Sequence, residues 1–248
     1  MDLGIEGKTA AIGGSTSGLG LATARALIAA GVRVAICGRD PERLDKATQD
    51  LGPNAYPIQA DLSETVQAVG FIEEAQGILG SIDILVPNAG GPPPGDFAST
   101  AIEAYDPALQ LNLLSVVALC KAAVPAMQSR GWGRVLAITS SSVRQPINQL
   151  ILSNTARAGA TGFLKTLATQ VAPDGVTVNS IQPGLHATPR LESLYGGNLE
   201  AAAKLAPTGT VGDPEDFGRI AAFLCSVHTR FLTGAAIPVE GGVYPGLL

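Results

Sequence analysis

The 248-residue chain reads as an α/β protein, one doubly wound parallel sheet of about seven strands with helices on both faces. Three observations lead there. Short apolar runs alternate with longer helical stretches from end to end. The runs are rich in Val, Ile and Ala and do not alternate with polar residues, as expected of parallel strands covered on both sides. Gly- and Pro-rich segments follow several runs, and sheets of this kind bind ligands at their carboxyl ends.

In chain order, the runs place strands at Thr9–Ile12, Val32–Cys37, Ala55–Gln59, Ile82–Val86, Arg134–Thr139, Thr177–Gln182 and Ala236–Val239. Helices are expected at Leu19–Ala30, Pro41–Leu51, Ser63–Leu79, Thr100–Arg130, Leu150–Val171 and Pro214–Ser226. Asp40-Pro41-Glu42 and Asp213-Pro214-Glu215 each set an Asp N-cap ahead of a Pro at the first helical position. Ile102, Tyr105, Leu109, Leu113, Val116, Cys120, Val124 and Met127 form one core-facing stripe on the Thr100–Arg130 helix. Gly90–Gly95 and Thr188–Gly212 read as loops at the carboxyl ends of strands. No linker, repeat or low-complexity tract divides the chain, so residues 1–248 are expected to form a single domain.

Composition narrows the function. Hydrophobic residues make up 46% of the chain, enough for a large core. A net charge of −5 with scattered Lys and Arg offers no basic stripe for nucleic acid and no cationic face for a membrane surface. No apolar run approaches the roughly 20 residues of a membrane span, so the apolar excess is assigned to core and subunit interface. Met1–Gly7 lacks the pattern of a signal peptide. Cys37, Cys120 and Cys225 have no metal or redox spacing. No metal site is expected, and a reducing cytoplasm fits.

Gly14-Ser15-Thr16-Ser17-Gly18-Leu19-Gly20 joins the first strand to the first helix. Such glycines allow a tight turn and close approach of backbone to a diphosphate at the positive helix end. Past the second strand stand Gly38 and Arg39. A carboxylate there would suit the ribose hydroxyls of NAD, whereas a cation suits the 2′-phosphate of NADP. Gly38 leaves room, Arg39 supplies charge, and Asp40 is better used as a helix cap. NADP (NADPH) is therefore expected, with NAD second.

These motifs together resemble the short-chain dehydrogenase/reductase (SDR) family, with its single Rossmann-type domain. The likeness runs over about residues 4–244 and narrows to the 3-oxoacyl-(acyl carrier protein) reductase-like branch, on Gly90–Gly95, Thr139–Ser142 and Glu240-Gly241-Gly242. That family usually has Thr where Gly13 stands. The resemblance implies that Gly14, Ser15, Ser17, Gly18, Leu19 and Gly20 hold the cofactor together with Arg39. It puts Asp61 and Leu62 at the adenine, though Asp61 reads equally well as a helix-capping residue. It implies that Asn88, Ala89 and Gly90 serve the sheet centre and ribose, and that Pro183, Gly184 and Thr188 hold the nicotinamide carboxamide. Residues 188–212 become the substrate lid.

The family moves hydride to a carbonyl with four residues: a Tyr as proton donor, a Lys, a Ser and an Asn. By resemblance the Asn is Asn112 and the Ser is Ser140. The Tyr and Lys positions hold Ser153 and Arg157, one helical turn apart on one face. No Tyr lies between Tyr105 and Tyr195. A phenol ionises near about 10 and an aliphatic hydroxyl, like water, near about 15.7. The gap is roughly 8 kcal/mol of proton-transfer driving force, and a neighbouring cation recovers only about 1–3 units of it. Ser153 can donate a hydrogen bond but is a poor general acid. Arg157 is a fixed cation, able to hold ribose hydroxyls and to stabilise an alkoxide.

The expected function is NADP-dependent reduction of a carbonyl on a small or acyl-type substrate, with protonation through water near Asn112. A non-redox lyase or isomerase on the same frame, or a cofactor-binding protein without turnover, are the alternatives. His186 is expected to contribute backbone, and His228 to be a helix-end or surface residue. Trp132 is expected to cap the turn into the fifth strand. By resemblance the assembly is a homotetramer, with a dimer next.

Overall fold

The computed structural model describes residues 1–247, so Leu248 lies outside the described residues. All seven expected strands are present: β1 (Thr9–Ile12), β2 (Arg33–Gly38), β3 (Ala55–Gln59), β4 (Ile84–Val86), β5 (Gly133–Ile138), β6 (Val176–Pro183) and β7 (Ala236–Val239). They form one sheet in the order β3-β2-β1-β4-β5-β6-β7, every pair parallel. Chain order reverses direction between β1 and β4, and a crevice at the carboxyl ends belongs there. Strand ends differ from the expected ones by one or two residues, where ladders fray.

Helices α1 (Gly18–Ala29), α2 (Pro41–Leu51) and α9 (Pro214–Leu224) cover one face. Helices α3 (Thr65–Leu79), α5 (Ser115–Arg130) and α6 (Ile151–Val171) cover the other. Side chains alternate between them along each strand. Ala11, Ala35, Leu85, Val135 and Ala137 enter the α3–α5–α6 layer, while Ala10, Ile12, Val34, Ile84 and Leu136 enter the α1–α2–α9 layer. Both faces are buried, which is why the strands read as unbroken apolar runs. Gly218 is the contact point of α9 on α1, because a Cβ there would lie 2.4 Å from Ala22 O.

Two expectations need correction. The Thr100–Arg130 stretch is not one α-helix. A 3-10 turn at Ile102–Ala104 leads into α4 (Tyr105–Leu109), then a π-helical turn at Gln110–Leu114, then α5. The wider turn rotates the later residues relative to the earlier ones. Val116, Cys120, Val124 and Met127 are buried as the stripe requires, but Ile102 is 76% exposed. By length and composition Ile102–Arg130 is apolar enough to cross a membrane, contrary to the reading of the sequence, and its Val116, Cys120, Val124 and Met127 are packed in the core.

The second correction concerns Thr188–Gly212, which carries two short helices, α7 (Pro189–Leu194) and α8 (Leu199–Ala203). Thr188 caps α7 by accepting from Leu191 N at 3.3 Å, and Asn198 caps α8 by accepting from Ala201 N at 3.0 Å. Thr188-Pro189 carries the same cap-then-Pro signal as Asp40-Pro41, where Asp40 accepts from Arg43 N at 3.1 Å.

At the amino ends of the strands, Trp132 precedes β5 and is half-buried against the α1–α2–α9 layer. It also lies between two cations, Lys8 Nζ at 4.3 Å and Arg134 Cζ at 4.5 Å from the ring centroid. His228 is exposed and its Nε2 lies 2.7 Å from Asp2 O. Cys37, Cys120 and Cys225 are all buried and unpaired, with thiols pushed up to about 12 by burial.

Candidate active site

The loop between β1 and α1 is held open as a cradle. Gly14 and Gly18 take left-handed backbone, φ 51° and 57°. Gly20 lets the first turn of α1 close on the loop, since a Cβ there would meet Gly14 O at 2.4 Å. Asn88 Nδ2 donates to Gly13 O at 3.1 Å and Gly14 O at 3.0 Å, bracing the cradle from the end of β4. Ser17, at the N-cap of α1, makes no side-chain cap bond, whereas α2, α7, α8 and α9 are all capped by a side chain. First-turn N–H groups without a cap, next to backbone free of Cβ atoms, suit a diphosphate. These residues fit the dinucleotide expected from the sequence.

Other expected cofactor residues divide by what they touch. Ser15 is fully buried, donates from its hydroxyl to Ile12 O at 2.8 Å, accepts from Cys37 N at 2.9 Å and donates from its N to Cys37 O at 3.0 Å, so it pins the loop to β2 and leaves neither its hydroxyl proton nor its N–H for a ligand. Leu62 is a core side chain, and a Cβ on Gly13 would lie 2.8 Å from its Cδ1 and 2.5 Å from Asn88 O. A glycine at position 13 is thus required by packing. Asp61 turns back on the segment before α3: its Oδ1 accepts from Ser63 N at 3.0 Å and Ser63 Oγ at 2.7 Å, while the N-cap of the helix is Glu64. Those bonds hold its carboxyl below the usual range, with Arg39 a lesser cause. The room expected beside Gly38 is already taken, because a Cβ there would meet Thr16 Cγ2 at 2.4 Å. Arg39 is exposed beside this point. Leu19 is half-buried in the α1 layer.

At the centre, Arg157 reaches from α6 across the carboxyl ends of β4 and β5. It is 9% exposed. Nη1 donates to Ile138 O and Thr139 O, each at 3.1 Å, and Nη2 to Ala89 O at 3.4 Å. Burial, then the nearby Arg190 charge, lowers its pKa to about 10. It therefore stays cationic at neutral pH. Ser153 is buried one turn earlier on α6. Ser140 follows β5, and its Oγ accepts from Ser142 N at 3.1 Å, leaving the O–H to donate.

Asn112 is the residue the π-helical turn delivers. It is 2% exposed, and Nδ2 donates to Gly90 O at 2.9 Å. Its buried Oδ1 has no protein partner, and such an acceptor has capacity for a bound water or ligand hydroxyl. Ala89 and Gly90 are consecutive, so the loop after β4 brings Arg157 and Asn112 together.

The segment that opens at Thr188 packs over the cradle, with Thr188 Cγ2 3.5 Å from where a Gly18 Cβ would be. Gly184 is a packing glycine, since a Cβ there would sit 2.7 Å from Glu240 Cα, and its N donates to Val239 O at 3.0 Å beyond Pro183. His186 turns into the α9 side, edge-on to Phe217 at 5.0 Å, and burial lowers its pKa. Sequence reasoning missed Thr16, which fills the space over Gly38, and Arg190. Arg190 donates from Nη2 to Pro92 O at 2.6 Å. Its only signal was a place two residues past the lid's N-cap.

Comparison with known proteins gives a consistent picture. Residues 14–244 match the family model described as enoyl-(acyl carrier protein) reductase. The chain is 30% identical over 249 residues to a 3-oxoacyl-(acyl carrier protein) reductase of Aquifex aeolicus, covering 98% of this chain and 100% of that protein. It is 32% identical to the dehydrogenase/reductase SDR family member 4 of Sus scrofa, over 96% of this chain and 88% of that one. The crystal structure of L-sorbose reductase from Gluconobacter frateurii, complexed with NADPH and L-sorbose, superposes with a TM-score of 0.93 at 32% identity, covering all of both chains.

Proposed function

The chain belongs to the short-chain dehydrogenase/reductase family of oxidoreductases, and from that premise we propose that it is an NADP-dependent carbonyl reductase built around Arg157 instead of a Tyr–Lys pair. The observation that carries the proposal is the buried guanidinium of Arg157, fixed by Ile138, Thr139 and Ala89 carbonyls where β4 and β5 end. NADPH in solved relatives supports the choice of cofactor.

Gly14, Ser17, Gly18 and Gly20 would hold the diphosphate by backbone. Arg39 would face the 2′-phosphate, and Asn88, Ala89 and Gly90 the ribose. Pro183, Gly184 and Thr188 would position the carboxamide. The bound nicotinamide would supply hydride. Ser140 donates a hydrogen bond to the substrate carbonyl oxygen. Arg157 keeps a fixed positive charge beside the oxygen as it becomes an alkoxide, and Ser153 adds a second donor. Preorganised charge in a dry site is often the largest catalytic contribution. Asn112 Oδ1 holds a water that protonates the alkoxide, and the hydroxide left behind takes a proton from solvent. Residues 188–212 act as the lid, and the substrate is a small or acyl-type carbonyl compound. A homotetramer and a cytoplasmic setting complete the proposal, the latter supported by three buried free thiols.

The test is direct. NADPH binding is measured by fluorescence, then its oxidation on adding a panel of ketones and aldehydes. Binding followed by oxidation is expected. Binding with conversion of substrate but no oxidation would instead indicate a non-redox enzyme, a reading favoured by the poor acidity of Ser153. Binding with neither would indicate a protein without turnover.

A further inference from the structure

Two guanidinium groups converge on the short loop that follows β4. Arg157 holds Ala89 O from the α6 side. Arg190 reaches back from α7 in the lid and holds Pro92 O at 2.6 Å. Its plane lies against Gly91, where a Cβ would come within 3.0 Å of both Nε and Nη2. The carbonyls they grip are three residues apart, at most about 11 Å along the chain.

Neither cation has a counter-charge. Among the described residues the ion pairs are Lys8 and Arg130 with Asp83, Arg25 with Glu215, and Arg219 with Asp216. All lie elsewhere. The acid on the same loop, Asp96, is engaged with Ser99 N and Oγ. Arg157 uses only neutral carbonyls, and Arg190 is half-buried with one. Burial lowers the pKa of both, and the Arg190 cation adds to the lowering at Arg157. A protein of net charge −5 thus keeps two partly desolvated, unneutralised cations at the mouth of its site. That arrangement is costly to the free protein and is offset when an anion binds.

We infer that the substrate carries a carboxylate, so that this chain acts on an oxo acid, with Arg190 taking the carboxylate while Arg157 faces the carbonyl oxygen. The planar guanidinium on Gly91 keeps Nε and Nη groups in a fork that matches a carboxylate. The inference rests on the reductase proposal for the carbonyl, but its carboxylate part is separable. The competing source of the same anionic chemistry is a phosphate of the dinucleotide.

The experiment compares 2-, 3- and 4-oxo acids with their methyl esters on the holoenzyme. For one member of the panel the acid is expected to be preferred over its ester by about 30-fold or more in kcat/KM, the size of a charge pair of about 2 kcal/mol. In Arg190→Gln that preference should fall to within about threefold, through loss on the acid alone, with the Kd for NADPH unchanged. Gly91→Ala, which displaces the guanidinium without removing it, should give the same pattern. Equal use of acids and esters by the wild type would overturn the inference. So would a weaker NADPH affinity in Arg190→Gln with the acid preference intact, which would assign Arg190 to the cofactor. If no carbonyl is reduced, the reductase proposal fails by itself. Calorimetric titration of the same acids and esters into the NADP-loaded protein then still decides: binding of an acid, lost in Arg190→Gln, supports the carboxylate site, and binding of none removes it.

Discussion

Arg157 is asked to do two things, and they can be measured apart. As the fixed charge beside the carbonyl it should be worth about 100-fold or more in kcat/KM, the scale of losing one preorganised oxyanion donor. Arg157→Ala should therefore remove nearly all turnover in steady-state assays; near-normal turnover would exclude the role. Its loss also strips the donors from three carbonyls, so thermal unfolding should fall by several degrees, about 2–4 °C per kcal/mol in a chain of this size. Because its pKa is lowered only to about 10, the charge persists from pH 6 to 9, and kcat should show no step there from this group. Ser153→Ala should cost less than about tenfold, since a hydroxyl of such weak acidity contributes one hydrogen bond. What the sequence could supply at this scale was uneven. The Ser153–Arg157 spacing and the place of Asn112 in an apolar stripe follow from local pattern, while the free Asn112 Oδ1 does not. Ser15 and Leu62 could not be sorted, because whether a side chain beside a glycine turn points to ligand or core depends on β2 and β3 contacts.

Among the elements, the β1–α1 cradle and the lid carry separate consequences. Gly20→Ala would set a methyl 2.4 Å from Gly14 O, and the loop would have to open. The Kd for NADPH, read by fluorescence, should rise at least about tenfold, with the melting temperature moving little if the strain is released into the loop. His186 anchors the lid against Phe217 and Gly212. Its pKa is depressed by burial, so below the unfolded value near 6.5 the unfolded chain takes up the proton first. The stability it contributes is full above that pH and is lost as pH falls through the lowered value. Thermal unfolding between pH 7 and 5 should drop less steeply in His186→Gln than in the wild type. The π-helical turn at Gln110–Leu114 was not legible: its apolar period differs from an α-helix by one residue in five, and only the inward amide of Asn112 betrays it. The two lid helices were legible in principle, from Thr188-Pro189 and Asn198, but their lengths of six and five residues fall below any periodic signal.

The whole molecule was the most readable level. The seven strands, their parallel pairing and ligand binding at their carboxyl ends followed from the alternation of apolar runs with helices, because covering a sheet on both faces forces that alternation, whereas the order β3-β2-β1-β4-β5-β6-β7 depends on contacts between distant parts of the chain. The proposed assembly is not encoded so plainly. Ile220 and Phe223 of α9, with Phe231 just beyond, are exposed, as are Phe97, Ile102 and Leu114 on the α4–α5 side. Two such patches on different faces are what a two-fold by two-fold assembly would cover. Light scattering should return a tetramer, and Phe223→Glu with Phe231→Glu should reduce it to a dimer; a monomeric wild type would sink the assembly.

The harness of three main-chain oxygens around one side chain also constrains substitution. Replacing Arg157 by Lys gives up a flat, forked donor for a single pivoting one, and leaves part of that harness bare while position 153 still lacks a phenol. Installing a Tyr–Lys pair here thus demands two coordinated changes, of which the second alone is a loss.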